Sequence, residues 1–147
     1  MIPAKPQGDS LGEAIARLEE YARRDPGNRG LSSRAPSGSL GPAAFELLKG
    51  RRVVLVTGFC VRSAMIGETD GPPGVFALAS ALRVLGKQVV LVTDRYSQPL
   101  LAAGSKAINL YFRTLELPDD QAKTDAALDA LLESFKPTHI LALERPG

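Results

Sequence analysis

The chain has few of the residues on which several classes of protein depend. It contains one cysteine, Cys60, no tryptophan, five phenylalanines and three tyrosines among 147 residues. A single cysteine excludes an internal disulfide or a cysteine-cluster metal site, and it suits a reducing compartment. The formal net charge is only +2, the basic residues are dispersed, and few aromatic rings are available for base stacking. We therefore expect no nucleic-acid partner.

Membrane and targeting signals are also missing from the sequence. No apolar run approaches the roughly 20 residues of a membrane-spanning helix. The N-terminal region lacks the apolar core of a signal peptide, and its acidic residues are unusual for a transit peptide. We expect no membrane partner and a cytoplasmic location.

Two common phosphate-binding motifs are absent as well. The sequence contains neither GxxxxGK[ST] nor GxGxxG. Their absence argues against a P-loop NTPase and leaves ordinary dinucleotide binding with weak support.

After Gly50 the sequence alternates regularly between apolar strands and amphipathic helices. We predict strands over residues 52–57, 88–93, 109–113 and 138–143, separated by helices over 74–85, 98–106 and 119–135. Such alternation implies right-handed βαβ crossovers. The fold class is therefore α/β, a Rossmann-like doubly wound parallel sheet of about four strands, in the order third, second, first, fourth.

An N-terminal helical extension precedes this sheet. Asp9 or Ser10 can cap a helix over residues 11–24, and the Gly-, Ser-, Pro- and Arg-rich stretch 28–41 predicts a flexible, poorly ordered linker. A short helix over 42–50 follows. We predict two regions, residues 1–41 as helix and linker and residues 42–147 as the α/β domain.

The last predicted strand has no helix after it. It ends four residues before Gly147, so the sheet would expose an edge and part of a face. We expect the domain to be incomplete at its C-terminus, with a missing C-terminal half or a homo-oligomer to cover that edge.

The most informative stretch connects the first strand to the next helix. It reads Glu68-Thr69-Asp70-Gly71-Pro72-Pro73-Gly74 and places two carboxylates beside a helix N-terminus. Gly71 and Gly74 allow a ligand to approach the backbone closely, and a helix N-terminus attracts anions. We predict an anion or carboxylate site at this helix N-terminus.

Other polar residues are expected at the same edge of the sheet. Ligands of open α/β sheets bind beyond the carboxyl ends of the strands, where the strand order reverses. The first strand ends at Thr57-Gly58, the fourth is followed by Glu144-Arg145, and Asp94 follows the second. Residues distant in sequence therefore converge on one candidate site.

Each candidate residue also has a structural interpretation. Asp70 and Asp94 can cap helices, the Thr57 hydroxyl can satisfy backbone, and Glu144 and Arg145 can pair with each other. His139 lies inside an apolar run, which indicates a packed core residue. Cys60 has no histidine nearby in sequence, so we interpret it as a small buried hydrophobe.

Several of these motifs occur together in one known family. The strings VTGF (56–59), ETDGPPG (68–74), ASAL (79–82), LG (85–86), VTD (92–94) and LERPG (143–147) resemble the C-terminal, cyclase-like domain of the D-glutamate cyclase family. The resemblance covers roughly residues 50–147. In that family ERPG is followed by more chain, so this sequence resembles the N-terminal half of the domain.

The resemblance implies reversible conversion of D-glutamate to 5-oxo-D-proline and water, and the mitochondrial matrix as the compartment in a eukaryote. The ligand is then a small amino acid or carboxylate. By position we assign catalytic roles to Glu68, Asp70 and Glu144 and substrate binding to Thr57, Gly58, Thr69, Gly71, Gly74 and Arg145. No cofactor is certain. The alternative for Glu68 and Asp70 is to hold Mg²⁺ or Mn²⁺.

Two other functions remain open at this point. One is a non-catalytic or partner-dependent module that binds a small anion. The other is a Rossmann-like enzyme acting on a nucleotide or sugar phosphate. If the family function applies, we expect this chain alone to be a feeble cyclase at best and a longer form to be active, because half a sheet does not close a dry pocket.

Overall fold

The computed structural model describes residues 10–28, 30, 33–34 and 36–145. The described residues of Met1–Lys49 form one compact unit and those of Gly50–Gly147 form a second. The elements are α1 (Leu11–Ala22), α2 (Leu40–Lys49), β1 (Arg52–Thr57), β2 (Cys60–Val61), β3 (Ile66–Gly67), α3 (Gly71–Val84), β4 (Gln88–Asp94), α4 (Gln98–Ile108), β5 (Arg113–Leu117), α5 (Gln121–Phe135) and β6 (His139–Leu143). In these described ranges, no helix is long and apolar enough to cross a bilayer.

Helix α1 begins with a reciprocal pair of capping hydrogen bonds. The Glu13 backbone N–H donates to Ser10 Oγ at 3.3 Å, and the Ser10 N–H donates to the Glu13 carboxylate at 2.7 Å. Such a capping box satisfies two N–H groups that the first turn leaves without helical partners. Ser10 is thus the cap, while Asp9 lies outside the described residues.

The carboxylate of Glu19 holds the start of α2. It accepts backbone N–H groups from Gly38, Ser39 and Leu40 at 2.7, 2.8 and 2.9 Å. The hydrogen bonds from Leu40 and Gly38 lower the pKa of the Glu19 carboxyl. This anchor lets α2 begin at Leu40, before the predicted start. It also fixes the end of the predicted 28–41 linker, part of which lies outside the described residues.

The second unit is built on a parallel sheet in the order β5-β4-β1-β6. The predicted order and direction of the strands are confirmed. Central β1 contains three consecutive buried residues, Val53, Val54 and Leu55, as expected for a strand covered on both faces. The crossovers from β1 to β4 and from β4 to β5 both lead toward the same edge of the sheet. Because βαβ crossovers are right-handed, α3 and α4 lie on one face of the sheet. The return crossover places α5 on the other.

The layer beneath α5 is an aliphatic cluster. It consists of Val54, Val90, Val92, Leu117 and Leu131. On the same face, the edge strand β6 carries Ile140, which pairs in register with Val54 and is 58% exposed. The cluster therefore covers the β4–β5 side of this face, and the apolar surface at β6 is open.

The third strand lies four residues later than predicted. The segment 109–113 was expected to form it, but α4 continues to Ile108 and Asn109 ends that helix in the left-handed conformation. The apolar residues that follow serve another purpose, since the Phe112 ring lies 6.5 Å from that of Phe76 in α3. The ladder with β4 then begins at Arg113.

Two further differences affect the loop after β1. Helix α3 begins at Gly71 and not at Gly74, because Pro72 and Pro73 fall in the first turn, where no N–H has a partner inside the helix. The segment before it, for which no element was predicted, forms a two-stranded antiparallel hairpin of β2 and β3. Its strands of two residues are too short to give a periodic signal.

Candidate functional site

Four separate segments meet at the carboxyl edge of the sheet. Gly58 follows β1, Asp94 ends β4, Arg145 lies just beyond β6, and Gly71 begins α3. Strands β1 and β6 are neighbours at the position where the strand order reverses. The predicted convergence of residues at this edge is therefore present in the fold.

An ion pair joins two of these segments across the end of β1. Arg145 Nη1 donates to Asp94 Oδ2 at 2.6 Å and to the Gly58 carbonyl at 3.3 Å. The Asp94 side chain is 14% exposed and that of Arg145 is 30% exposed. Because charge-assisted hydrogen bonds strengthen away from water, this pair holds β6 against the centre of the sheet.

Gly58 leaves the space that this ion pair occupies. Its φ is +137°, and a Cβ built on it would lie 2.5 Å from Asp94 Oδ2 and 3.0 Å from Arg145 Nη1. Any other residue would suffer both backbone strain and a collision. Glycine is therefore required here by the pair above it.

The other oxygen of Asp94 organises the loop before α4. Oδ1 accepts the backbone N–H groups of Tyr96 and Ser97 at 3.0 and 2.9 Å. The N-cap of α4 is Ser97, so Asp94 does not cap this helix as the sequence suggested. Its side chain instead closes the turn before α4 and pairs with Arg145. The alternative in which Arg145 pairs with Glu144 is not the arrangement found.

Gly71, Thr57 and Glu144 pack closely beside this pair. A Cβ at Gly71 would lie 2.7 Å from Thr57 Oγ1 and 3.0 Å from Glu144 Cβ. The Thr57 hydroxyl is fully buried and has no hydrogen-bond partner among the described residues, contrary to the expectation that it satisfies backbone. Glu144 has φ +48°, a left-handed conformation that non-glycine residues seldom adopt outside functional or tightly constrained positions.

The N-terminus of α3 offers fewer donors than the sequence prediction assumed. Pro72 and Pro73 carry no N–H, so Gly71 and Gly74 supply the donors of this turn. The Gly71 N–H donates to Oδ1 of Asp70, its own helix cap, at 3.0 Å. Asp70 thus has the structural role weighed for it, and an anion here would depend on Gly74 and the helix dipole.

Three predicted site residues lie away from the cluster at the strand ends. Glu68 is an exposed side chain whose backbone N–H donates to the Phe59 carbonyl at 2.8 Å. Thr69 lines an apolar groove between α3 and α4, with Phe76 and Leu100 among its other walls. Gly74 is exposed on α3, where a Cβ would lie 3.8 Å from Leu143. Their assigned roles stay predictions.

Beside the ion pair lies a polar cleft of about 640 Å³. A volume of this size suits a small-molecule ligand. Its lining includes several polar residues that sequence reasoning did not select: Arg62, Tyr96, Asp119, Gln121 and Thr124. They come from the unpredicted hairpin, the loop after β4 and the region after the misplaced third strand, so no sequence signal linked them. Cys60, half-buried, also lines this cleft.

The described residues contain no group of three or more His, Cys, Asp or Glu side chains that could hold a metal ion. Hard cations such as Mg²⁺ and Mn²⁺ prefer about six oxygen ligands. The Glu68 and Asp70 pair would supply two carboxylates, so the protein groups alone do not form a complete site. We therefore derive no step through a metal.

The family model described as "D-glutamate cyclase-like, C-terminal" matches residues 18–147. The chain belongs to this family. The matched region of this D-glutamate cyclase-like chain begins at residue 18, within α1. The motifs that carry the resemblance in sequence lie later, in residues 50–147. The predicted boundary after residue 41 stays a prediction.

A curated human relative, "D-glutamate cyclase, mitochondrial", is 36% identical over 94% of this D-glutamate cyclase-like chain. The aligned region is 24% of that relative, so the chain spans about a quarter of its length.

Proposed function

We propose that this chain carries out the D-glutamate cyclase reaction, the reversible conversion of D-glutamate to 5-oxo-D-proline and water. One observation carries the proposal. The residues of the family motifs, distant in sequence, contact one another at the switch point of the sheet, where Asp94, Arg145 and Gly58 interlock and Glu144 packs on Gly71. Family membership supports this choice of reaction.

The reaction sets three chemical requirements. A base removes a proton from the α-ammonium so that the amine nitrogen can attack the side-chain carboxyl carbon. Hydrogen-bond donors stabilise the tetrahedral oxyanion, and an acid protonates the departing oxygen as the C–O bond breaks and water leaves. We assign these roles to carboxyl groups and hydrogen-bond donors at the carboxyl edge of the sheet.

Glu144 is the carboxylate best placed for acid or base work. The stem of its side chain packs against Gly71 at the start of α3, and its backbone has the left-handed conformation, with φ +48°. Glu68 is the second candidate, on the exposed loop before α3. Asp70 is committed to its helix cap, so its proposed role is to shape the loop and add negative charge near the substrate ammonium.

Arg145 remains the proposed partner of a substrate carboxylate. Its Nη1 is engaged by Asp94, which fixes the plane of the guanidinium group. A guanidinium carries five N–H donors, so Nη2 and Nε remain able to bind a carboxylate that enters the cleft. Because the pairing with Asp94 already orders this long side chain, less conformational entropy is lost when a substrate binds.

The second candidate function is a small-anion-binding module without catalysis. The observation behind it is the cleft beside the ion pair, whose lining includes two arginines, Arg62 and Arg145. In this case the cleft binds D-glutamate or another carboxylate, and no product forms.

As the compartment we propose the cytoplasm, or the mitochondrial matrix in a eukaryote.

The test is product formation by the 147-residue chain. Purified protein is incubated with D-glutamate or L-glutamate, with and without Mn²⁺, and 5-oxo-proline is measured by chiral chromatography. We expect slow formation of 5-oxo-D-proline and none of the L-isomer above the protein-free rate. Binding of D-glutamate without product would favour the binding module, and the absence of both would contradict the proposal.

A further inference from the structure

The cleft beside the ion pair contains one cationic side chain whose charge the protein leaves uncompensated. Asp94 pairs with Arg145 at 2.6 Å, and Asp119 pairs with Arg95 at 2.7 Å. Arg62 is exposed on the wall of the cleft and has no ion pair or side-chain hydrogen bond within the part of the chain that the structure describes. Because both acidic residues of the lining are paired with other arginines, Arg62 has no ionic partner among the described residues of this cleft.

The hairpin that carries Arg62 is anchored to the rest of the site. The Gly67 N–H donates to the Tyr96 carbonyl at 3.1 Å, and the Met65 N–H closes the hairpin on the Val61 carbonyl at 2.8 Å. Gly67 fits so closely that a Cβ there would lie 2.7 Å from Ser97 Oγ. Arg62 thus projects from a fixed support beside the loop that Asp94 organises.

We infer that Arg62 binds the second carboxylate of a dicarboxylate ligand whose first carboxylate is held by Arg145. This inference rests on the proposed function and deepens it, because it assigns the residue that selects a dicarboxylic amino acid. One guanidinium holds a carboxylate through paired N–H donors, and two guanidinium groups on one cleft provide two such positions. A monocarboxylic amino acid would use Arg145 and gain nothing from Arg62.

The single cysteine of the chain provides a direct readout of this cleft. Cys60 lines it and is half-buried, so a thiol reagent modifies it at a rate that a bound ligand lowers. The measurement is the Cys60 modification rate with increasing D-glutamate, relative to the rate of the same variant without ligand. D-norvaline, which has an uncharged side chain of similar length, serves as the monocarboxylic probe.

We expect D-glutamate to protect Cys60 in the natural chain and Arg62→Gln to raise the half-protecting concentration about 10-fold or more. Arg62→Lys should give an intermediate value, since lysine keeps the charge but loses the paired donors. Protection by D-norvaline should be weak and equal in all three proteins. Arg51→Gln, an exposed arginine at the opposite edge of the sheet, is the matched control and should behave as the natural chain.

Two results of the protection assay would overturn the inference: no protection by D-glutamate in the folded natural chain, or equal protection in the natural chain and Arg62→Gln. Far-ultraviolet circular dichroism verifies folding of each variant. Protection reports binding of D-glutamate and does not require its conversion, so its outcome is separate from that of the proposed function. Arg62-dependent protection in a chain that forms no 5-oxo-D-proline would contradict the cyclase proposal alone. Normal cyclase kinetics in Arg62→Gln would contradict the inference alone.

Discussion

Arg145 and Asp94 lie 51 positions apart in the sequence, and their side chains form a 2.6 Å ion pair over the end of β1. Strand β1 lies between β4 and β6 in the sheet, so the pair spans a whole strand. The span is short because Gly58 presents a carbonyl and no side chain beneath it. The same contact fixes the guanidinium group proposed to receive the substrate.

Substituting Gly58 should show how tightly this arrangement is packed. Gly58→Ala places a methyl group 2.5 Å from Asp94 Oδ2 at φ +137°, so we expect a loss of about 2–4 kcal/mol in the free energy of unfolding. Gly86→Ala is the control, because its φ is +72° and nothing lies within 4 Å of a Cβ there. Its expected loss is about 1 kcal/mol. Equal losses in urea unfolding would show that the ion pair does not constrain position 58.

The buried hydroxyls of Thr57 and Thr93 offer a second test of the structure. Both are fully buried without a hydrogen-bond partner among the described residues. An unpaired buried hydroxyl is unfavourable, so Thr57→Val and Thr93→Val should each raise the free energy of unfolding by about 1 kcal/mol. If Thr57→Val is destabilising while Thr93→Val is stabilising, the Thr57 hydroxyl has a partner in solution.

The cap that Glu19 provides for α2 should depend on pH. Backbone N–H groups of Leu40 and Gly38 lower the pKa of this carboxyl in the folded chain. A lowered pKa means that the capping contribution is complete above the unfolded pKa of about 4.3 and is lost as the pH falls through the lower, folded value. Amide NMR shifts of Ser39 and Leu40 should report this titration.

Two variants of α1 separate this cap from the general effect of acid. Glu19→Gln should abolish the titration of the Ser39 and Leu40 amides, whereas Glu20→Gln, on the neighbouring position, should leave it intact. Persistence of the titration in Glu19→Gln would assign it to another group.

The order of the strands was predictable because it depends on alternation and handedness, which the sequence carries in its apolar pattern. The position of β5 was not. Leu110, Tyr111 and Phe112 are as apolar as a strand, and the contact of the Phe112 ring with Phe76 in α3 is a tertiary contact that periodicity does not contain.

The site was predictable to a similar degree. Residues at strand ends could be assigned to one edge, so the positions of Thr57, Gly58, Glu144 and Arg145 were predictable, while their roles stay predictions. The pairing of Arg145 with Asp94 was not predicted, because a side-chain contact across β1 depends on the register of three strands. Arg62 was missed because the hairpin that places it consists of two-residue strands.

The most direct test of the account is the rate of 5-oxo-D-proline formation from D-glutamate by Glu144→Gln, compared with the natural chain. Glutamine keeps the size of the side chain and removes the carboxylate, so we expect a loss of about 100-fold or more and an unchanged urea midpoint. Glu116→Gln, an exposed position on β5, is the control and should stay within about twofold. Full activity in Glu144→Gln would contradict the placement of the chemistry at this edge of the sheet.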